Sequence, residues 1–377
     1  MTRRSPFVFS PDPFLLCLIA VVTGASLFPA RGMVATTIGG AADIAIALLF
    51  FLHGAKLSRA AILAGAGNWR LHLLVLASTY IFFPAVGLAL ATVLRGSEDA
   101  VLLAGLLYLT LLPSTVQSSI AFTAMAGGNV AAAVCSASLS NLIGIILTPL
   151  LVGLVMAVNA DGSGSSSWHS IQAIALQLLV PFLAGHLLRP WIGGFIDRNK
   201  GLLMPVDRGS ILLVVYSAFS AAVINGIWSQ VNAGDLLVLL LLSLLILLII
   251  MGVNWGMARL VGLSRADAIV LMFCGSKKSL VSGVPMASAL FPAAQVGLLI
   301  LPLMIFHQLQ LFLCAALAAR FARQAPVRPR LPRSEQEIAA AAAVLGLTIP
   351  DACMPGVTIN LALLDRHAAI LSGEARP

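Results

Sequence analysis

Phe273-Cys274-Gly275-Ser276-Lys277-Lys278-Ser279 interrupts an otherwise apolar run, and Ser282, Gly283 and Pro285 follow just beyond it. A charge at the centre of a membrane helix costs at least about 2.5–3.5 kcal/mol. Two adjacent lysines this far from either helix end cannot easily carry their heads to the interface. Sliding the span until they reach it would expel Arg265 and Asp267 and split the apolar segment from Ala268 to Phe273. The stretch therefore predicts a discontinuous helix with a buried or cavity-lining ammonium, inside an all-α membrane protein.

The rest of the chain agrees. Hydrophobic residues make up 60% of it and charged residues 10%, whereas soluble domains carry roughly 25% charged residues. Mean hydropathy is +1.02. Apolar runs of about 20 residues, the length that crosses a bilayer, recur from residue 13 to residue 320. Ten spans are expected, near 13–30, 36–56, 71–94, 99–126, 128–157, 169–189, 206–230, 235–261, 266–290 and 294–320.

The fourth span holds a second break, Leu111-Leu112-Pro113-Ser114-Thr115-Val116-Gln117-Ser118-Ser119. Proline removes a backbone donor and clashes with the preceding turn. In lipid, the carbonyls so freed survive only where protein or a watery cavity satisfies them. A proline kink patched by hydroxyls is the plain reading of this break alone. The pair says more: Val116 lies about 103 residues after Pro13, and Gly275 about 107 after Trp168.

Asn159-Ala160-Asp161-Gly162-Ser163-Gly164-Ser165-Ser166-Ser167 reads as a flexible linker that divides the spans five and five. An odd number per half makes the halves, about residues 10–157 and 168–322, enter the membrane from opposite sides. Any similarity between them is then an inverted repeat, a common transporter design in which discontinuous helices meet near the midplane.

Basic residues set the orientation. With the N-terminus inside, the inner segments collect Arg3, Arg4, Lys56, Arg59, Arg70, Arg189, Arg198, Lys200, Arg208, Arg259, Arg265 and every arginine from Arg320 onward; the outer loops keep Arg31 and Arg95. A multi-pass cell-membrane protein with cytoplasmic N- and C-termini is expected. The first apolar stretch superficially resembles a signal peptide, but it is needed to complete the first repeat.

Other classes fit poorly. The net charge of +8 is spread through short loops and a tail without interleaved aromatics, so no nucleic-acid partner is expected. Cys17, Cys135, Cys274 and Cys314 lie in apolar runs without metal-type spacing, and Cys353 stands alone in the tail. No metal site, no cofactor and no catalytic set of nucleophile and base is expected.

Three motifs together resemble the bile acid:sodium symporter superfamily, which includes arsenite exporters, and in particular its sodium/bile-acid-symporter-like subgroup of sodium-dependent transporters. They are Phe50-Phe51-Leu52-His53-Gly54-Ala55-Lys56-Leu57-Ser58, then Leu112 to Ser119 with Gly128-Asn129-Val130 after it, then Phe273 to Leu280. The resemblance covers about residues 10–322. It implies a core bundle of spans three to five and eight to ten, a panel of the remaining spans, and a site where discontinuous spans four and nine cross.

In the bile acid branch, polar groups of spans three, four, five and nine hold sodium; by position Ser119, Thr123 and Thr79 carry part of that role here. The departures are larger. Phe273 stands where that branch has a glutamate and Lys277 where it has a glutamine, while Ile120, Ala133 and Ala137 replace polar ligands. The usual two-sodium site is therefore not expected. An ammonium at Lys277 or Lys278 could replace a bound cation, carry a proton or pair with an anionic substrate.

The candidate substrate- and ion-binding residues are Ser114, Thr115, Gln117, Ser118, Ser119, Thr123, Ser138, Asn141, Gly275, Ser276, Lys277, Lys278 and Ser279. Weaker candidates are Thr79, His307, Gln308 and Asp43, the one acid deep in a span and so a partner for a lysine or a group facing the panel cavity. Asn225 and Asn254 read as helix-packing groups. The expected function is secondary active transport of a small organic, anionic solute, with sodium or a proton as coupling ion. The alternative is a membrane sensor or regulator of ion homeostasis that keeps the fold without transport.

After Arg323 the composition changes. Residues 323–333 read as a basic, proline-containing linker, and Ser334 and Glu337 have capping-box spacing. Short helices are expected over about 334–345 and 354–372. Gly346-Leu347-Thr348-Ile349-Pro350 and Met354 to Leu361 resemble the small AtzG-like proteins that wrap around amidase-family hydrolases. That resemblance, within a module at 334–373, implies a soluble hydrolase as a partner; a regulatory tail resting on its own cytoplasmic face is the other reading.

Overall fold

The computed structural model describes residues 13–56, 66–94, 96, 100–156, 168–324, 332 and 334–371. The glycine- and serine-rich linker 159–167, residues 325–331, and Arg3, Arg4, Arg59 and Arg95 lie outside the described residues. The chain divides into two compact units, Met1–Arg323 and Gln324–Pro377.

The first unit is helical throughout, with no strand among the described residues. Its helices are α1 (Pro13–Leu27), α2 (Gly32–Lys56), α3 (Trp69–Val93), α4 (Ala100–Thr110), α5 (Gln117–Met125), α6 (Val130–Met156), α7 (Trp168–Arg198), α8 (Lys200–Ile224), α9 (Ala233–Leu260), α10 (Arg265–Gly275), α11 (Leu280–Leu290) and α12 (Ala293–Arg323). Seven of them are long and apolar enough to cross a membrane: α2, α3, α6, α7, α8, α9 and α12. The short helices α4 and α5 are joined through residues 111–116, and α10 and α11 through 276–279, so each polar segment interrupts the helical run of its part of the chain.

The surface is apolar as well as the interior. On α9, Leu237, Leu241 and Leu248 are exposed while Ile246, Leu247 and Ile250 are buried. A helix apolar all round suits surroundings without water on either side. Small residues let helices meet at backbone distance, as membrane helix contacts favour. Gly54 of α2 lies against the carbonyl of Phe182 on α7, and Gly185 of α7 against the carbonyl of Phe51 on α2; a β-carbon at either would overlap that oxygen.

α3 is locally widened by a π-helical turn over Ser78–Phe82. The amide of Phe83 donates to Ser78 O instead of Thr79 O. Pro84 follows and has no N–H to offer. The carbonyl of Thr79 is left without a helical donor, deep in the unit.

The second unit holds α13 (Glu335–Val344) and α14 (Met354–Leu371). Ser334 caps α13 through the amide of Glu337, and the Glu337 carboxylate accepts from the amide of Ser334, the reciprocal box read from the sequence. Ile338 and Ala342 of α13 are buried.

Candidate functional site

Both polar interruptions are buried, and they lie against each other. The amide of Ser279 donates to the carbonyl of Pro113 at 2.9 Å. Ser114 Oγ donates to the carbonyl of Cys274 at 2.5 Å, and Ser119 Oγ to that of Phe273 at 3.0 Å. The last carbonyls of α10, which have no intrahelical partner, are thus satisfied by hydroxyls from the opposite interruption.

Neighbouring helices complete the pairing. Ser78 Oγ donates to Gly275 O at 2.9 Å, and Asn254 Nδ2 to Ser276 Oγ at 2.8 Å. From α6, Ser140 Oγ accepts from the amide of Ser114, while Asn141 donates to Ser114 O at 2.6 Å and accepts from Ser282 Oγ at 2.9 Å. Gln310 of α12 brackets the backbone of one residue: its Oε1 accepts from the amide of Lys278 at 2.8 Å and its Nε2 donates to the carbonyl of Lys278 at 2.9 Å.

Lys277 and Lys278 are both 0% exposed, yet their surroundings differ. The ammonium of Lys278 donates to Thr79 O at 2.9 Å, Thr110 O at 2.8 Å and Leu112 O at 2.6 Å, and lies 4.1 Å from the ring centre of Phe83. Thr110 ends α4, where a helix presents its negative pole. The ammonium of Lys277 donates to a single acceptor among the described residues, Ser118 Oγ at 3.2 Å. It also lies over the faces of Phe122 at 4.5 Å and Phe273 at 5.8 Å. Ser118 belongs to the first turn of α5, a helix start with no side-chain cap, which is the positive pole of a helix. The one ion pair among the described residues, Lys56 with Asp207, involves neither lysine.

The sequence model of the SBF-like CPA transporter family matches residues 12–323. The chain belongs to this family. It is 56% identical over 313 residues to "Putative symporter YfeH" of Escherichia coli (strain K12), which spans 83% of this chain and 93% of that protein. It is 54% identical over 316 residues to the protein PA2026 of Pseudomonas aeruginosa, covering 84% and 94%. With "Sodium/bile acid cotransporter 7" of Danio rerio it shares 29% over 312 residues, covering 81% and 91%. The SBF-like CPA family is one of membrane transporters, not enzymes.

Within this SBF-like unit the interruptions bring together most of the residues that the sequence singled out. Ser114, Thr115, Ser118, Ser119, Asn141, Gly275, Ser276, Lys277, Lys278 and Ser279 belong to the connected cluster; Thr115 Oγ1 meets Ser118 Oγ at 2.9 Å and Ser119 Oγ at 3.0 Å. Thr79 belongs through its carbonyl, because its hydroxyl bonds back to Val75 O. Thr123 Oγ1 is buried without a partner among the described residues. His307 Nδ1 lies 2.8 Å from Gln310 Nε2, one step behind Lys278.

Others stand apart. Gln117 is exposed at the start of α5, and Ser138 and Gln308 make no hydrogen bond to either interruption among the described residues. Asp43 is exposed on α2, and a pairing with either lysine is not formed.

Asn254 acts as the helix-packing polar group the sequence suggested, and the partner it holds is Ser276 of the cluster. Ser78, Ser140 and Ser282 also belong to the cluster without having been singled out as site residues. Each is a small polar residue in an apolar span, and only the partner it meets from another helix sets it apart.

Proposed function

We propose that this SBF-like protein is a secondary active transporter that moves a small organic anion by alternating access. Its ten spans would form two inverted five-helix repeats, with both termini cytoplasmic. The two interrupted helices, one in each half at matching distances, support the repeat, and the distribution of arginine and lysine supports the orientation.

One observation carries the anionic character: among the described residues the ammonium of Lys277, wholly buried beside the uncapped start of α5, has one hydroxyl acceptor and no carboxylate. A buried charge with so few partners is costly. A carboxylate or sulfonate bound at Ser118 and Lys277 would supply the missing countercharge, with Phe122 and Phe273 as apolar walls. The names of the cotransporter relatives support sodium as coupling ion; Thr123 offers a buried oxygen for it. A proton carried at Lys277 is the competing coupling.

Thermal stability in purified form, against small carboxylates and sulfonates including taurocholate, tests this at varied sodium and pH. Stabilisation by an anion that disappears in Lys277→Gln, followed by flux of that anion in proteoliposomes, is the expected result. Equal stabilisation of both proteins would refute the role of Lys277. Stabilisation of the wild type without flux would favour a non-transporting regulator.

For the tail we propose an amidase-family hydrolase as partner. The exposed Val344, Leu345, Leu347, Ile359, Leu363 and Leu364 support an apolar contact there. Equal retention of a co-expressed amidase-family hydrolase by the full chain and by a chain ending at Arg323 would remove this reading.

A further inference from the structure

We infer that Lys278 is a tethered cation: its ammonium fills a carbonyl cage that the chain builds where the two interruptions meet, and removing the side chain leaves a binding site for a small primary ammonium ion. The inference concerns how the site is held together and stands whichever solute is moved.

The cage arises from missing donors. Thr79 O lacks a helical partner because the π-turn diverts the amide of Phe83 and Pro84 has no N–H. Thr110 O would receive the amide of Ser114 in a continuous helix, but that amide donates to Ser140 Oγ, and the intervening Pro113 has no N–H. Leu112 O lies in the interruption itself. Three backbone oxygens from two helical segments therefore converge without backbone donors, and an ammonium has three N–H groups to give them.

The distances of 2.6–2.9 Å are those of charge-assisted hydrogen bonds. Among the described residues no carboxylate contributes, so the charge is held by carbonyl dipoles and by the C-terminal pole of α4, as carbonyl rings hold monovalent cations in channels. The ring of Phe83 covers a further side at 4.1 Å. Gln310 holds the amide and the carbonyl of Lys278, so the backbone that carries the ammonium is fixed independently of the cage.

Lys278→Ala removes Cγ, Cδ, Cε and Nζ, which together correspond to n-propylammonium. The purified full-length variant is heated with n-propylammonium, sodium or tetramethylammonium chloride at equal ionic strength. The variant is expected to melt below the wild type and to regain roughly 2–4 °C with n-propylammonium near ten times its dissociation constant. Sodium should act more weakly, tetramethylammonium, which has no N–H, not at all, and the wild type should show no such selectivity.

Identical responses of variant and wild type, or equal action of tetramethylammonium, would overturn the inference. Lys278→Gln decides it where the alanine variant is not recovered, because the amide keeps two donors and loses the charge. A melting temperature well below the wild type is then expected, and an unchanged one would overturn the tethered-cation role.

Discussion

Residues 111–116 and residues 276–279 interrupt their helices by different means. The first segment loses its ladder to Pro113 and contributes hydroxyls and free carbonyls, and it opens toward the exposed Gln117. The second is buried throughout and contributes two ammonium groups. Oxygen on one side thus meets charge on the other, and the junction is complementary where two equal proline kinks would have left carbonyls facing carbonyls. The comparison continues within the second segment: Lys278 finds three acceptors at a negative helix pole, Lys277 one hydroxyl at a positive pole. On the proposals above, the first arrangement holds structure and the second leaves donors for a ligand.

That contrast can be broken by substitution. The largest effect is expected for Lys278→Ala, which leaves three buried carbonyls without donors and should destabilise the protein by roughly 3 kcal/mol or more, measured by thermal or denaturant unfolding. Lys277→Met should lose less than about 1 kcal/mol, because one long hydrogen bond disappears and the apolar stem remains between the two rings. A larger loss for Lys277 than for Lys278 would reverse the assignment.

Asn254→Leu should lose about 1 kcal/mol by orphaning Ser276 Oγ, a modest figure because Asn254 Oδ1 is itself unpaired among the described residues. The smallest effect is expected for Asp43→Asn, within about 0.5 kcal/mol and without change in ligand response. A strong effect there would restore a role for the panel acid.

The membrane class and both interruptions were legible in the sequence, because proline and paired lysines are too costly in an apolar run to stand there without a structural use. The division of labour between Lys277 and Lys278 was not. The two residues are adjacent and identical in chemistry, and what distinguishes them is the carbonyl of Thr79, set free by Pro84 some two hundred positions earlier. Asn254 was legible as a helix-packing amide, but its partner was not, for a related reason. A lone amide in an apolar helix satisfies one local rule, small polar groups at helix contacts, and only the opposite helix shows that it holds an interruption open. Of the two readings of Asp43, the pair with a lysine is not formed, since depth along a span says nothing about which face a side chain takes.

The mutual glycine contact of α2 and α7 limits how this molecule can rearrange. Two helices whose backbones nest at Gly54 and Gly185 are keyed like a mortise and tenon. A slide by one turn would bring Phe50 or Pro181, which carry β-carbons, to the place of a glycine where only a glycine now fits. Under the alternating access proposed above, α2 and α7 are therefore expected to move together, because separating them would give up this backbone contact.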